Sequence, residues 1–461
     1  MGKRFDYEYM VIGGGVAGIT AATQLAEAGR KVAIVEQGKL GGAHVYHRDV
    51  PQRALFTFSH LYADAVSGSR FGISSTSLRY NYPTVQHWKD RAISRCATAK
   101  KNLEDLGVTI IKGKAHFVGN YDVTIGGKNE QVSANKFLIA TGAELDPNKI
   151  SGVDNVSYYT PATILDLERP PKAVLIIGGG ASGCEVAQYL AELGAKVVIV
   201  ESSARLLQKE EPEVGKLMEE YLSKRLGIKV FTHTRATALE KDKISPRVVF
   251  MRGGQERTVR VETIVLATGS KPSLDFGLQN AGVSFDKNGI IVDKTLQSSA
   301  RNIFVAGDAL GGDSSTERAI YSAEIAVMNM LGHNKTFVNY DGFMRVTDTN
   351  PQVASVGITE EIAIKEKKKY KKAVVPLSAA DVSTTEDFRI GFIKILADLQ
   401  DKIIGATLVA PHAADTMQEL ALAIRHGLPL VQVASTPHPA NEWSNLIKIA
   451  ARKILLSASK K

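Results

Sequence analysis

Apolar residues in this chain fall into short runs punctuated by glycine, and one arrangement of runs occurs twice. Tyr9–Ile12 is an apolar run of strand length. It leads into Gly13, Gly15 and Gly18, then into an Ala- and Leu-rich helical segment that closes at Gly29, then into a second apolar run ending at Glu36. Val174–Ile177 opens the same pattern. Gly178, Gly180 and Gly183 follow, Gly194 closes the helix, and Glu201 ends the second strand. Every matching position lies 165 residues from its counterpart, and Leu25-Ala26-Glu27 reappears as Leu190-Ala191-Glu192. The chain therefore carries an internal duplication of a strand–turn–helix–strand unit.

The rest of the pattern places further elements around these units. Lys136–Gly142 and Thr263–Gly269 read as strands ending in Ala-Thr-Gly, each closing one unit. Asn302–Asp308 is another apolar strand and ends in a carboxylate. From Met344 the texture changes to alternating strands (Val353–Gly357, Gly391–Leu396, Ile403–Leu408) followed by helices over Asp415–His426 and Trp443–Leu456. The predicted class is α/β, with two Rossmann-like domains and a C-terminal α+β domain.

The glycine spacing carries chemistry. In G-x-G-x-x-G between a strand and a helix, the glycines let the backbone turn sharply and approach a pyrophosphate, which rests on the free amides of the helix N-terminus. A carboxylate ending the next strand accepts hydrogen bonds from a ribose, and Glu36 and Glu201 each follow their first glycine by 23 residues. Two complete copies predict two dinucleotide sites.

Composition alters this little. At 461 residues, 44% hydrophobic and 23% charged, the chain has the makeup of a soluble globular protein with room for about three domains. No apolar run approaches the roughly 18 residues of a membrane span, and the start lacks a signal-peptide core, so a cytoplasmic location is expected. The net charge of +9 gathers at Lys365–Lys372 and Arg452–Lys461. Without a nucleic-acid motif or interleaved aromatics, these read as a solvated turn and a frayed terminus, and no nucleic-acid partner is expected. Of the two cysteines, Cys96 falls in an expected surface helix and Cys184 is expected to pack under the second glycine turn.

Together these features resemble the pyridine nucleotide–disulfide oxidoreductases of the glutathione reductase and lipoamide dehydrogenase type, over essentially the whole chain. The resemblance implies FAD in the first unit, NAD(P)H in the second, and a homodimer made by the last domain. It divides the chain into a first FAD segment (1–150), an NAD(P)H domain (151–270), a returning FAD segment (271–343) and an interface domain (344–461). By position it assigns Gly41-Gly42 to the flavin loop, Ala115 to an adenine contact, Thr141-Gly142 to the end of the FAD strand, Gly269 to its counterpart, and Asp308 to the ribityl chain. Ser315-Thr316 stands where the family starts a helix against the flavin carbonyl, and helix amides there favour negative charge on a reduced ring. Arg53 stands for the family's lysine beside the flavin, with Glu185 as its carboxylate partner.

The departures matter more. The family writes its redox disulfide as Gly-Gly-Thr-Cys-x-x-x-x-Cys-x-Pro-x-Lys. This chain reads Gly41-Gly42-Ala43-His44 through Asp49-Val50-Pro51-Gln52-Arg53, with both cysteine positions occupied by His44 and Asp49. Without a thiol there is no dithiol relay, so electrons are expected to pass from flavin directly to a small-molecule acceptor. Near the C-terminus His438-Pro439 is kept, but Glu442 falls one residue early; a helix opening at Ala440 would let Glu442 orient the imidazole for proton transfer. His44 or Asp49 is a second candidate proton donor. A metal held by His44, His47, Asp49 and His438 of the partner subunit is an alternative that needs more geometric coincidence, and no metal is assigned.

Glu201 accepts from a free 2′-hydroxyl and repels a 2′-phosphate, with no arginine before Arg205, so NADH is expected over NADPH. Ala181, where relatives carry a bulky gate, leaves the nicotinamide pocket open. The expected activity is an FAD-dependent NAD(P)H oxidoreductase with a quinone or dye as acceptor. A soluble transhydrogenase and a non-catalytic FAD-binding subunit are the alternatives.

Overall fold

The computed structural model describes residues 4–74, 77–126, 131–147, 150–242, 245–332 and 335–458. The first glycine unit forms β1 (Tyr7–Ile12), α1 (Val16–Glu27) and β2 (Val32–Glu36). Its parallel sheet continues through β3 (Thr109–Lys112) on the far side of β2, and through β4 (Gln131–Ile139) on the other side of β1. The second unit repeats this with β5 (Ala173–Ile177), α2 (Ala181–Glu192), β6 (Lys196–Val200), β7 (Lys229–Phe231) and β8 (Thr263–Leu266), paired in the parallel order β7-β6-β5-β8. Parallel strands need crossovers that cover both sheet faces, which is why β1, β2, β5 and β6 read as continuous apolar runs rather than alternating ones.

The chain returns to the first sheet through β9 (Ile303–Val305), which pairs with β4. The apolar stretch Asn302–Asp308 thus ends as a strand at Val305, and Gly307–Leu310 turns as a 3₁₀ segment. Likewise β4 stops at Ile139, so Thr141 and Gly142 lie just past the strand, with Gly142 at φ 72°. Helix α3 (Thr316–Leu331) then packs on α1 within a shared core of Ala21, Leu25, Ala323 and Ala326. Small side chains on both helices make this close approach possible.

The last part is a five-stranded antiparallel sheet, with β10 (Met344–Thr347), β11 (Gln352–Gly357), β12 (Lys371–Pro376), β13 (Phe392–Ala397) and β14 (Ile403–Ala410) in the order β10-β11-β14-β13-β12. Helices α4 (Gln418–His426) and α5 (Asn445–Ala458) cover its core. The helix expected over 415–426 is broken at Met417, and the last helix starts two residues after Trp443. The basic run from Lys365 leaves a short helix, turns through Lys367 at φ 54° and enters β12, as a solvated turn should. Arg452, by contrast, lies within α5, which holds its form to Ala458, so that stretch is helix rather than a frayed terminus; 459–461 lie outside the described residues. Among the described residues no helix is long and apolar enough to cross a membrane.

Candidate functional site

The duplication persists at atomic detail. Glu36 Oε2 accepts from Gly14 N at 2.5 Å, and Glu201 Oε2 accepts from Gly179 N at 2.6 Å. The second oxygen of each accepts from the residue two further on, Gly38 N for Glu36 and Ser203 N for Glu201. These bonds fix each carboxylate at the mouth of its turn while leaving lone pairs for a ribose. Gly18 and Gly183 lie beneath the turns, where a Cβ would strike the carbonyls of Gly13 and Gly178. Around Gly15 and Gly180, instead, a Cβ would meet nothing within 4 Å, because these residues face open space at the N-termini of α1 and α2. Neither helix has an acidic residue in its own first turn, so its positive end is not neutralised from within the helix. Each turn fits a dinucleotide pyrophosphate.

Both turns open on one continuous cavity of about 3250 Å³. Gly13, Gly15, Glu36, Ala115, Thr141 and Gly142 line it from the first unit, with Asp308 and Thr316 from the returning segment. Gly180, Ala181, Glu185, Glu201 and Gly269 line it from the second. Gly18, Gly41, Gly178, Gly183 and His438 are not on its wall. Gly42 is, at φ 55°, packed so that a Cβ would sit 2.7 Å from Gly15 Cα. The flavin loop therefore closes directly on the first turn.

Beyond that loop, a short helix Gly42–Tyr46 and the long helix starting at Asp49 bring His44 and Asp49 together, with Nδ1 to Oδ2 at 2.7 Å. Thr316 Oγ1 donates to the same oxygen at 2.5 Å. The Asp49 bond raises the His44 pKa above its ordinary value, against the effect of burial. Burial opposes ionisation of Asp49, but His44 and Thr316 outweigh it and hold the carboxyl low. His47 lines the same cavity, but among the described residues no three His, Cys, Asp or Glu side chains gather to hold a metal.

Two expected partnerships are different in the structure. Arg53 does not pair with Glu185. Its guanidinium is largely exposed and binds both oxygens of Asp348, at 2.7 and 2.9 Å. Glu185, 7% exposed, accepts instead from Gln52 Nε2 at 2.9 Å and from Asp348 N at 2.7 Å. Burial, reinforced by the Asp348 charge, pushes its carboxyl up to about 7. Both contacts come from one nitrogen, Nη1, so the guanidinium charge is met by the nearer carboxylate of Asp348 and does not reach Glu185. His438 in turn is bound by Glu419 rather than Glu442: Nε2 lies 2.8 Å from Glu419 Oε2, and Nδ1 lies 2.8 Å from the Thr436 carbonyl. The helix that would have oriented Glu442 opens only at Asn445. Gln52, Asp348 and Glu419 were not legible as site residues, since each is recruited by tertiary contact.

Cys96 is exposed, and Cys184 is buried with its thiol 3.5 Å from the Gly179 carbonyl, beneath the second turn as expected. Burial pushes the Cys184 thiol strongly up, away from a reactive thiolate.

The chain as a whole has counterparts among known proteins. The pyridine nucleotide-disulphide oxidoreductase family model matches residues 7–329, and the dimerisation-domain model of the same family matches 344–451. The chain belongs to the pyridine nucleotide-disulphide oxidoreductase family. It is 31% identical to a dihydrolipoyl dehydrogenase from Geobacillus stearothermophilus over 94% of this chain and 93% of that protein. It is 30% identical to a mercuric reductase from Bacillus cereus, over 97% of this chain and 71% of the relative. Among solved structures, the Escherichia coli flavoprotein disulfide reductase RclA shares the fold, with a TM-score of 0.86 at 22% identity over 97% of this chain and 99% of that one. LpdA from Mycobacterium tuberculosis matches with a TM-score of 0.87 at 24% identity, over 96% and 99%. Family membership makes this a flavin-dependent oxidoreductase with a dimerisation domain.

Proposed function

We propose that the protein is a homodimeric, cytoplasmic FAD-dependent oxidoreductase that takes hydride from NADH and passes electrons from flavin directly to a non-disulfide acceptor. One observation carries this reading. The loop that brings a redox cysteine pair to the flavin in related disulfide reductases here brings a bonded His44–Asp49 pair, and Cys184, the cysteine beside the nucleotide turns, is buried. Bound flavin supplies the two-electron exchange; the chain supplies binding and orientation. The α3 N-terminus, capped by Ser315 and ending at Thr316 on the cavity wall, offers amides for negative charge on the ring. Glu201 supports NADH over NADPH because its fixed carboxylate would face a 2′-phosphate. Arg205 supports it too, its guanidinium being engaged by Glu361 at 2.5 Å and by the Gln208 and Glu210 carbonyls.

Anaerobic addition of NADH tests this. The yellow flavin is expected to bleach to plain reduced flavin, with no long-wavelength thiolate–flavin band. A stable band of that kind, surviving replacement of Cys96 and Cys184, would overturn the non-disulfide reading. Absence of bleaching would favour a non-catalytic FAD-binding subunit.

A further inference from the structure

His44 is built as an acid with one end tied. Asp49 can only accept, so the proton in their 2.7 Å bond sits on Nδ1. The other ring nitrogen, Nε2, has no hydrogen-bond partner among the described residues, and the side chain is 34% exposed on the cavity wall. Three charges face the ring: Asp49 and Glu317 favour the imidazolium, and Arg48 opposes it. The other histidine that the family resemblance puts forward is committed at both nitrogens, and its side chain is 2% exposed. An imidazole oriented through Nδ1 by a carboxylate and free at Nε2 is arranged to give a proton and take it back.

Resting on the non-disulfide reading above, we propose that His44 is the catalytic acid for an acceptor whose reduced form gains O–H bonds, a quinone, with Asp49 and Thr316 as positioning residues. Such an acceptor needs two electrons and two protons. Reduced flavin, when bound, would supply both electrons and one proton as a hydride. The second proton crosses from Nε2 of the His44 imidazolium to the acceptor's other oxygen, the N–H bond breaking as the O–H bond forms; this leaves neutral imidazole protonated on Nδ1, which takes a proton back from solvent. A one-electron acceptor such as ferricyanide takes no proton and has no use for this arrangement.

The test starts from holoenzyme whose flavin is reduced by light and EDTA without nucleotide, so it stands apart from the NADH experiment. Reoxidation is followed after mixing with duroquinone or with ferricyanide. His44→Gln is expected to slow the duroquinone reaction roughly 100-fold or more, the range of a lost general acid, and to slow ferricyanide only a few-fold. Asp49→Asn is expected to move the fall of the duroquinone rate to lower pH, since the bond that favours imidazolium is gone. In flavin-free protein carrying ¹⁵N-labelled histidine, the His44 ring is expected to titrate at lower pH in Asp49→Asn than in the parent. This last readout serves also if His44→Gln loses flavin. A parent that duroquinone does not reoxidise, a His44→Gln variant that reacts with duroquinone like the parent, equal slowing with both probes, or an unmoved His44 titration would each overturn the proposal.

Discussion

At the scale of single residues, Glu185 is the group whose surroundings most alter its chemistry. A carboxyl raised to about 7 in the fold is stabilised as the neutral acid, so its contribution is fully present below the ordinary carboxylate range and is lost as pH rises through 7. Glu185→Gln should leave stability near pH 5 little changed and abolish the decline toward pH 8. Thermal melts across that range should differ by on the order of 3 kcal/mol at the alkaline end; parallel curves would show that the buried carboxyl is stabilised by something else. Glu201 makes the complementary case. Its alanine variant should weaken NADH by roughly 1.5–3 kcal/mol, the worth of a charge-assisted hydrogen bond, and NADPH much less. Flavin-reduction rates over a concentration series of each nucleotide measure this, and equal losses would remove Glu201 as the discriminator. Glu201 could be read from the chain because its spacing from Gly178 is dictated by one local unit. The bond between Arg53 and Asp348 could not, because its partners stand 295 residues apart and meet only through the packing of whole elements.

At the scale of elements, the glycine turns were legible in full and the element ends were not. A strand that must turn sharply into a helix leaves no freedom in where glycine falls, so both turns appear where the spacing puts them. Strand ends such as Ile139 and Val305 depend on hydrogen bonds to neighbouring segments that composition does not encode. The same reasoning isolates Gly42, whose absent side chain lets the flavin loop lie against Gly15. Gly42→Ala adds a carbon 2.7 Å from Gly15 Cα at a φ of 55° that favours glycine, so loop or turn must move. Purified variant should carry markedly less FAD, read from the ratio of flavin to protein absorbance. A full complement of FAD would show that the loop has slack.

At the scale of the whole molecule, one buried cation joins parts that are far apart in the chain. Lys394, on β13 and 1% exposed, reaches Glu211 and Glu213 at 2.9 Å each and Glu360 at 2.7 Å. Burial opposes ionisation of Glu360, but Lys372, Lys394 and Tyr370 overcome it and hold that carboxyl at about 2. Its contribution to stability is therefore present above the ordinary carboxylate range and is lost only as pH falls toward 2. Lys394→Met should leave the Glu211 carboxylate buried and uncompensated, costing about 3–5 kcal/mol in chemical denaturation, and adding Glu211→Gln should recover part of the loss. A neutral single variant would mean that water replaces the ammonium. Two of the three carboxylates around Lys394 come from the second nucleotide unit, and only Glu360 belongs to the C-terminal part. Cut away from that unit, the antiparallel sheet would bare the face that carries Phe392 and Lys394, with apolar surface exposed to water and two of the ammonium's three carboxylates gone. The C-terminal part is thus not a portable module: expressed alone it should fold poorly, and grafted onto a foreign nucleotide unit it should do so as well, unless the graft brings acidic residues to the same place.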